Sequence, residues 1–320
     1  MGKKDILLRK YLGDKERFGD FLNGILFQGN VKIRSDMVQE MDSVVSVNDT
    51  EHDVWIKKER DISRKLVDGV EYAIIAIENQ MEIHYAMPIR TKLYDAISYE
   101  NQYADIRKQY ITQKQKGTSA EFLSKMKKDE KLIPVITFVC YYGDEEWNTH
   151  VSLKELLQFP EGYDGIEKYV NDEKINLIPI KKLDSQLFRG ELREFLELLQ
   201  CNSNKDKIKE LIHSNNRYRF LDAETCQTWL TLSDGEKYYE QLIEKQGIQE
   251  VYDMCQAFED MVEEGRIEGR LEGHSEGKEE GVRETLLDNI QKMHKKGMTP
   301  EFIADVLEKD LELVMELLAE

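Results

Sequence analysis

The sequence predicts an α/β core followed by a helical extension. Three observations point there. Apolar, β-branched runs recur at "YAIIAI" (72–77), "LIPVITFVCYYG" (132–143) and "INLIPIKKL" (175–183), the composition of buried strands. Helix-period segments lie before and between them. From residue 184 onward the pattern is helical, so strands are confined to about the first 185 residues.

Residues 4–27 carry Ile6, Leu7, Tyr11, Leu12, Phe18, Phe21, Leu22, Ile25 and Leu26 at helical spacing, and Gly13-Asp14 predicts a break into two helices. "VVSV" and "DVWIKK" are short strand candidates with "NDTEHD" as their turn. A helix is expected to begin near Pro88, whose missing N–H is tolerated in a first turn. Residues 113–131 form a polar, lysine-rich insertion. The run at 132–143 is apolar without alternation, which predicts a strand covered on both faces. "SLKELLQF" reads as a short helix before the strand at 175–183. The division expected is a core over 1–185, a helical extension over 186–258, and a glycine-repeat helix with a small helical pair over 259–320. In that last part glycine recurs at 265, 269, 273, 277 and 281. Each costs about 1 kcal/mol against alanine in a helix, so the segment reads either as a marginal solvated helix or as a stripe for self-association into a homo-oligomer.

With 320 residues, 40% hydrophobic, 34% charged and a net charge of −18, the chain is not expected to coat nucleic acid electrostatically. That balance leaves room for a locally basic cleft, or for carboxylates that recruit a metal. No apolar run nears the ~20 residues that span a bilayer, and the charged start does not read as a secretory signal. A cytoplasmic protein without membrane contact is expected. Cys140, Cys201, Cys226 and Cys255 have no CxxC spacing, and the six histidines form no HxxxH or HxH cluster. Tyr141 and Tyr142 suit sheet packing better than a nucleic-acid groove.

The unusual stretch is "RDISRKLVDGVEYAIIAIENQ", residues 60–80. Asp68-Gly69 reads as the two-residue turn of a hairpin. Val67 then faces Val70, Ile62 faces Ile75 and Asp61 faces Ala76. Glu78 falls on the same face as Asp61, diagonal to it at ~7–8 Å or less, and Gln80 continues the line. Two close carboxylates repel unless a cation sits between them. A hard ion such as Mg²⁺ takes oxygen ligands, often one or two carboxylates plus waters, and can activate a phosphodiester and its attacking water. Asp61 and Glu78 are therefore candidate metal ligands, with Asn79 adding its backbone carbonyl. Gln80 would orient the water or a phosphate oxygen, and Lys58, Arg60 or Arg90 would offset phosphate charge. Strand-end carboxylates reaching solvent satisfy the same spacing, which leaves both readings open.

The order "KYLGDKERFGDFLNGILF", "RDI", "IIAIENQ", "AMPIRTKLYDA", "LIPVITFVCYYG" resembles the Rpn family of recombination-promoting nucleases and transposase-like proteins, a branch of the PD-(D/E)XK nuclease superfamily. The tail "GRIEGRLEGHSEG" is similar to tails common in that family. The resemblance runs over nearly the whole chain. It implies a restriction-endonuclease-like fold, a central mixed sheet flanked by helices with an α-helical C-terminal extension. It implies DNA as partner and cleavage dependent on Mg²⁺, with Mn²⁺ or Ca²⁺ as alternatives. On that resemblance Asp61 matches the acidic residue of the second core strand, and Glu78 with Gln80 matches an E-x-Q form of (D/E)-x-K. Gln80 departs from the superfamily's lysine and brings neither positive charge nor a titratable proton. An acid from the first helix often completes such sites, with Asp5 and Asp20 as candidates. The alternative expectation is a catalytically silent relative acting as a binding or assembly module.

Overall fold

The computed structural model describes residues 2–49, 54–114, 116–162, 165–202 and 204–319. Helices α1 (Lys3–Gly13) and α2 (Lys15–Phe27) open the chain. They part at Asp14, whose extended backbone ends one helix and whose carboxylate accepts the N–H groups of Glu16 and Arg17 to start the next. Strands β1 (Val38–Glu40), β2 (Val44–Asp49), β3 (Val54–Glu59), β4 (Ile62–Asp68) and β5 (Val70–Gln80) follow. The turn expected between β2 and β3 lies at its centre, 50–53, outside the described residues. Then come α3 (Met87–Thr112), with Pro88 in its first turn, α4 (Ser119–Ser124), β6 (Val135–Tyr141) and β7 (Asn176–Pro179).

Five strands form one mixed sheet in the order β1-β4-β5-β6-β7. The β1–β4 and β4–β5 pairs are antiparallel, and β5–β6 and β6–β7 are parallel. Residues 73–79 of β5 are buried without interruption, as are 137–141 of β6, which accounts for their unbroken apolar sequence. Helices α1 and α3 pack on this sheet, and β2–β3 forms a separate two-stranded sheet whose Val45 packs with Tyr94 and Ile97 of α3.

Two expectations need correction, and the polar insertion gains a local structure of its own. "SLKELLQF" makes only a 3-10 turn at Lys154–Leu156. Leu153 N–H donates to the Glu173 carbonyl and Ile175 N–H to the Val151 carbonyl, so this backbone pairs with a neighbouring segment instead of with itself. The polar insertion holds a helical turn, α4, closed by a reciprocal Thr118–Glu121 cap. The helical region, α5 (Gly190–Gln200), α6 (Lys205–Ser214), α7 (Asn216–Arg219), α8 (Ala223–Leu232) and α9 (Glu236–Gln246), is interrupted by β8 (Phe220–Asp222) and β9 (Val251–Asp253). Those two strands pair antiparallel. Gly247, at φ +78°, ends α9 in a conformation that favours glycine and frees the chain to turn back.

The chain divides into two compact units, Met1–Cys255 and Gln256–Glu320. In the first, α5 packs on α2 and α8 on α1, so residues 186–255 share the unit of the sheet. The second contains most of α10 (Met254–Lys295), then α11 (Pro300–Leu307) and α12 (Leu311–Ala319), around Ile290, Ile303, Val314 and Leu317. Thr299 caps α11, and the break expected near Lys309 follows Glu308, which adopts a left-handed conformation.

The contact between α2 and the segment leading into α5 tolerates no added atom at Gly24, where a Cβ would overlap the ring of Phe188. Gly→Ala in an open helix stabilises by about 1 kcal/mol. Here overpacking reverses the sign, and Gly24→Ala is expected to cost about 1–3 kcal/mol. Urea-unfolding midpoints check this, and an unchanged or raised midpoint would refute the contact.

Candidate functional site

Asp61 and Glu78 meet through a hairpin that differs from the one the sequence suggests. Asp68 pairs with Val70 across Gly69 alone, at φ +73°, and a bulge between Leu66 and Val67 then inserts one residue of β5. Each irregularity shifts the register by one, so together they restore the parity. The result pairs Ile62 with Ile77, not with Ile75. One step further, Asp61 stands opposite Glu78 instead of opposite Ala76. By this count Asp61 would face Glu78 directly instead of lying diagonal to it, and the charge of Asp61 acts on the Glu78 carboxyl.

Each carboxylate has a distinct setting. Asp61 Oδ2 accepts the backbone N–H of Asn79 at 2.6 Å, tying the end of β4 to β5 where the ladder stops. Its Oδ1 accepts Nε and Nη2 of Arg9 at 3.0 and 2.7 Å, and Arg9 Nη1 donates to Glu59 at 2.8 Å. Glu78 has no exposed surface. Arg90 Nη2 lies 2.9 Å from its Oε2, yet the approach is not aligned as a hydrogen bond, and both Glu78 oxygens lack a hydrogen-bond partner. Burial pushes the Glu78 carboxyl up from its ordinary 4.5 to about 7; Arg90 opposes the rise, and the charge of Asp61 adds to it.

Asn79 and Gln80 are committed locally. The Asn79 side-chain oxygen accepts from Tyr142 Oη at 3.2 Å, and its carbonyl oxygen accepts the Gln80 side-chain amide at 2.8 Å. The carbonyl expected to serve a metal is thus shared with Gln80. Comparison of the chain with family models, with curated proteins and with solved structures returned no match.

Of the expected cations, only Arg90, in the first turn of α3, reaches a candidate ligand. Arg60 is fully buried and donates to Thr137, Asp95 and Ser98, so it buttresses the sheet. Lys58 is exposed on β3 opposite Val45. The helix acids are engaged elsewhere: Asp5 accepts from Gly2 N–H and Asp20 from Arg189 N–H. Tyr141 packs edge-on against Trp147 and Tyr142 is buried, in keeping with sheet packing. Arg9 is the site residue that sequence reasoning missed. Its only signal is position, beside Leu8 and three residues before Leu12, at the margin of the buried face of α1.

Among the described residues no group of three or more His, Cys, Asp or Glu side chains is placed to hold a metal. The donor set is two carboxylates, a number that suits Mg²⁺ completed by waters. Neither Glu78 oxygen accepts a hydrogen bond, although Arg90 stands 2.9 Å from Oε2 and would share that oxygen with an ion.

The Glu78 shift carries a testable linkage. The folded state favours the neutral carboxyl, so its stabilising contribution is complete below about pH 4.5 and is lost as pH rises through about 7. Without divalent ions, the parent should gain about 2 kcal/mol relative to Glu78→Gln on going from pH 8 to pH 5. Urea unfolding at both pH values measures it, and parallel profiles would refute it.

Proposed function

We propose that this chain is a metal-dependent DNA endonuclease with a restriction-endonuclease-like core, hydrolysing phosphodiester bonds in recombination or in the life of a mobile element. The observation that carries the reading is Glu78, buried at the end of β5 within reach of the charge of Asp61, with no hydrogen-bond donor on either of its oxygens. Burying this acid costs free energy that Arg90 and the raised carboxyl pKa offset only in part, and a bound cation would offset more of it. The ordered resemblance to Rpn nucleases over residues 10–143 supports the same assignment. So does the sheet, mixed and flanked by helices, with the site at the carboxyl end of β5 where parallel strands commonly present ligand groups.

Asp61 and Glu78 would hold the ion, Mg²⁺ or a substitute such as Mn²⁺ or Ca²⁺. When bound, it would polarise the phosphodiester and supply a water acidic enough to attack it. The remaining work falls to the chain. Arg90 offsets charge beside Glu78, and the Asn79 N–H fixes the orientation of Asp61. Gln80 can turn its amide from the Asn79 carbonyl to a phosphate oxygen or the water, orienting without transferring a proton. Nicking of supercoiled plasmid tests this: cleavage with Mg²⁺, Mn²⁺ or Ca²⁺ by the parent, reduced at least 100-fold in Asp61→Ala. No cleavage with any of these metals, or equal cleavage by both proteins, would sink the nuclease reading and leave the second, a silent module. The arginine fork on Asp61 is the observation that favours that alternative.

We also propose that the second unit self-associates. Gly269, Gly273, Gly277 and Gly281 of α10 have open space where a Cβ would stand, and Ile267, Leu271 and Val282 are exposed. Light scattering should show a smaller multiple of the chain mass after truncation at residue 258. An unchanged multiple would count against the proposal.

A further inference from the structure

Arg9 stands out among the basic groups near Asp61. It reaches from α1 to the end of β4 and places three N–H groups on two acids, Asp61 and Glu59. A purely structural reading would make it a tie between α1 and the sheet. Two comparisons within the molecule argue otherwise. Helix α1 is already anchored by Leu8, Tyr11 and Leu12, each buried. The built structural ion pair nearby is Arg60–Asp95, with the arginine side chain 1% exposed. Arg9 is 21% exposed and its partner Glu59 is 54% exposed, so the arm of the fork on Glu59 lies at the solvent side of the site, where ion pairs hold weakly, while the arm on Asp61, 10% exposed, is the sheltered one.

Charge sharpens the point. Glu59, Asp61 and Glu78 face Arg9 and Arg90, and Arg60 is balanced by Asp95. Fully ionised, the group carries one excess negative charge. A divalent ion would turn that into one excess positive charge, which a single phosphodiester cancels. Arg9 Nε and Nη2 meanwhile occupy Oδ1 of Asp61, the oxygen not used by the Asn79 N–H. Binding at that oxygen requires the guanidinium to move.

We infer that Arg9 is the resident counter-cation of Asp61, displaced as a divalent ion is taken up and then free to donate to the phosphodiester. The inference rests on the reading of Asp61 and Glu78 as metal ligands and adds a regulator of their metal affinity. Arg9 is a positioning residue, competing with the ion and not reacting.

The test is calorimetric titration of Mn²⁺ alone into full-length protein. Arg9→Gln should bind roughly tenfold tighter or more, since removing one charge within contact distance shifts such equilibria by that order. Lys10→Gln removes the same charge from the next residue of α1, where it pairs with Glu224, and should stay within about twofold because exposed charges are screened. Arg9→Lys keeps the charge and should remain within about threefold of the parent. Arg9→Met, which keeps the apolar stem, repeats the neutral substitution should the glutamine variant fold poorly. Unchanged or weaker binding by both neutral variants, or an equal shift in Lys10→Gln, overturns the inference. Parent binding abolished by Asp61→Ala keeps the site reading intact in that event. No Mn²⁺ binding by the parent overturns both.

Discussion

Taking the Glu78 carboxylate out of water costs several kcal/mol, and neither of its oxygens recovers that cost through a hydrogen bond. The structure around it can be understood as a response to that constraint. The first turn of α3 brings Arg90 to 2.9 Å, but Arg90 also serves Tyr94, whose hydroxyl accepts from its Nε at 3.1 Å. The Tyr94 ring lies near two guanidinium groups, Arg60 at 5.4 Å and Arg90 at 5.5 Å. One aromatic ring thus helps hold both the cation that supports the sheet and the cation that approaches Glu78. Burial still prevails, and the carboxyl titrates near neutrality instead of near its usual value.

The opposition of Asp61 and Glu78 depends on two irregularities that cancel. A one-residue connection at Gly69 alone would put Asp61 out of phase with Glu78, and the bulge alone would do the same. Selection on either feature separately would flip a strand whose residues 73–79 are buried on both faces. Register here is set by the one-residue turn at Gly69 and the bulge at Leu66/Val67, and the site inherits its geometry from that pair.

This explains what could be read in advance. The strands at β5 and β6 were legible because burial on both faces demands unbroken apolar sequence. The break at Asp14 was legible because an N-cap is a local device. The register was not, since a bulge depends on how twist and side chains fit across two strands. β8 and β9 were hidden because three-residue strands carry too little pattern to stand out between helices. The three arginines show the same limit at the site. Arg9, Arg60 and Arg90 are chemically identical in sequence. Their roles, facing a solvent-side acid, sealed against Asp95 or set beside a buried carboxylate, are assigned by partners 35 to 52 residues away or by a neighbouring strand.

Gln80 finds a physical rationale in that cation count. Where the resemblance to the nucleases leads one to expect lysine, this chain brings two guanidinium groups to its acids. A lysine at 80 would match the three carboxylates with three cations, leaving no excess negative charge to draw a divalent ion. Glutamine preserves the excess, supplies two amide N–H donors, and does so from a side chain held against the Asn79 carbonyl. On the proposed function, positive charge at the scissile phosphate would then come from Arg9 and Arg90 instead of from position 80. The departure from the expected pattern and the arginine fork on Asp61 become two sides of one electrostatic arrangement.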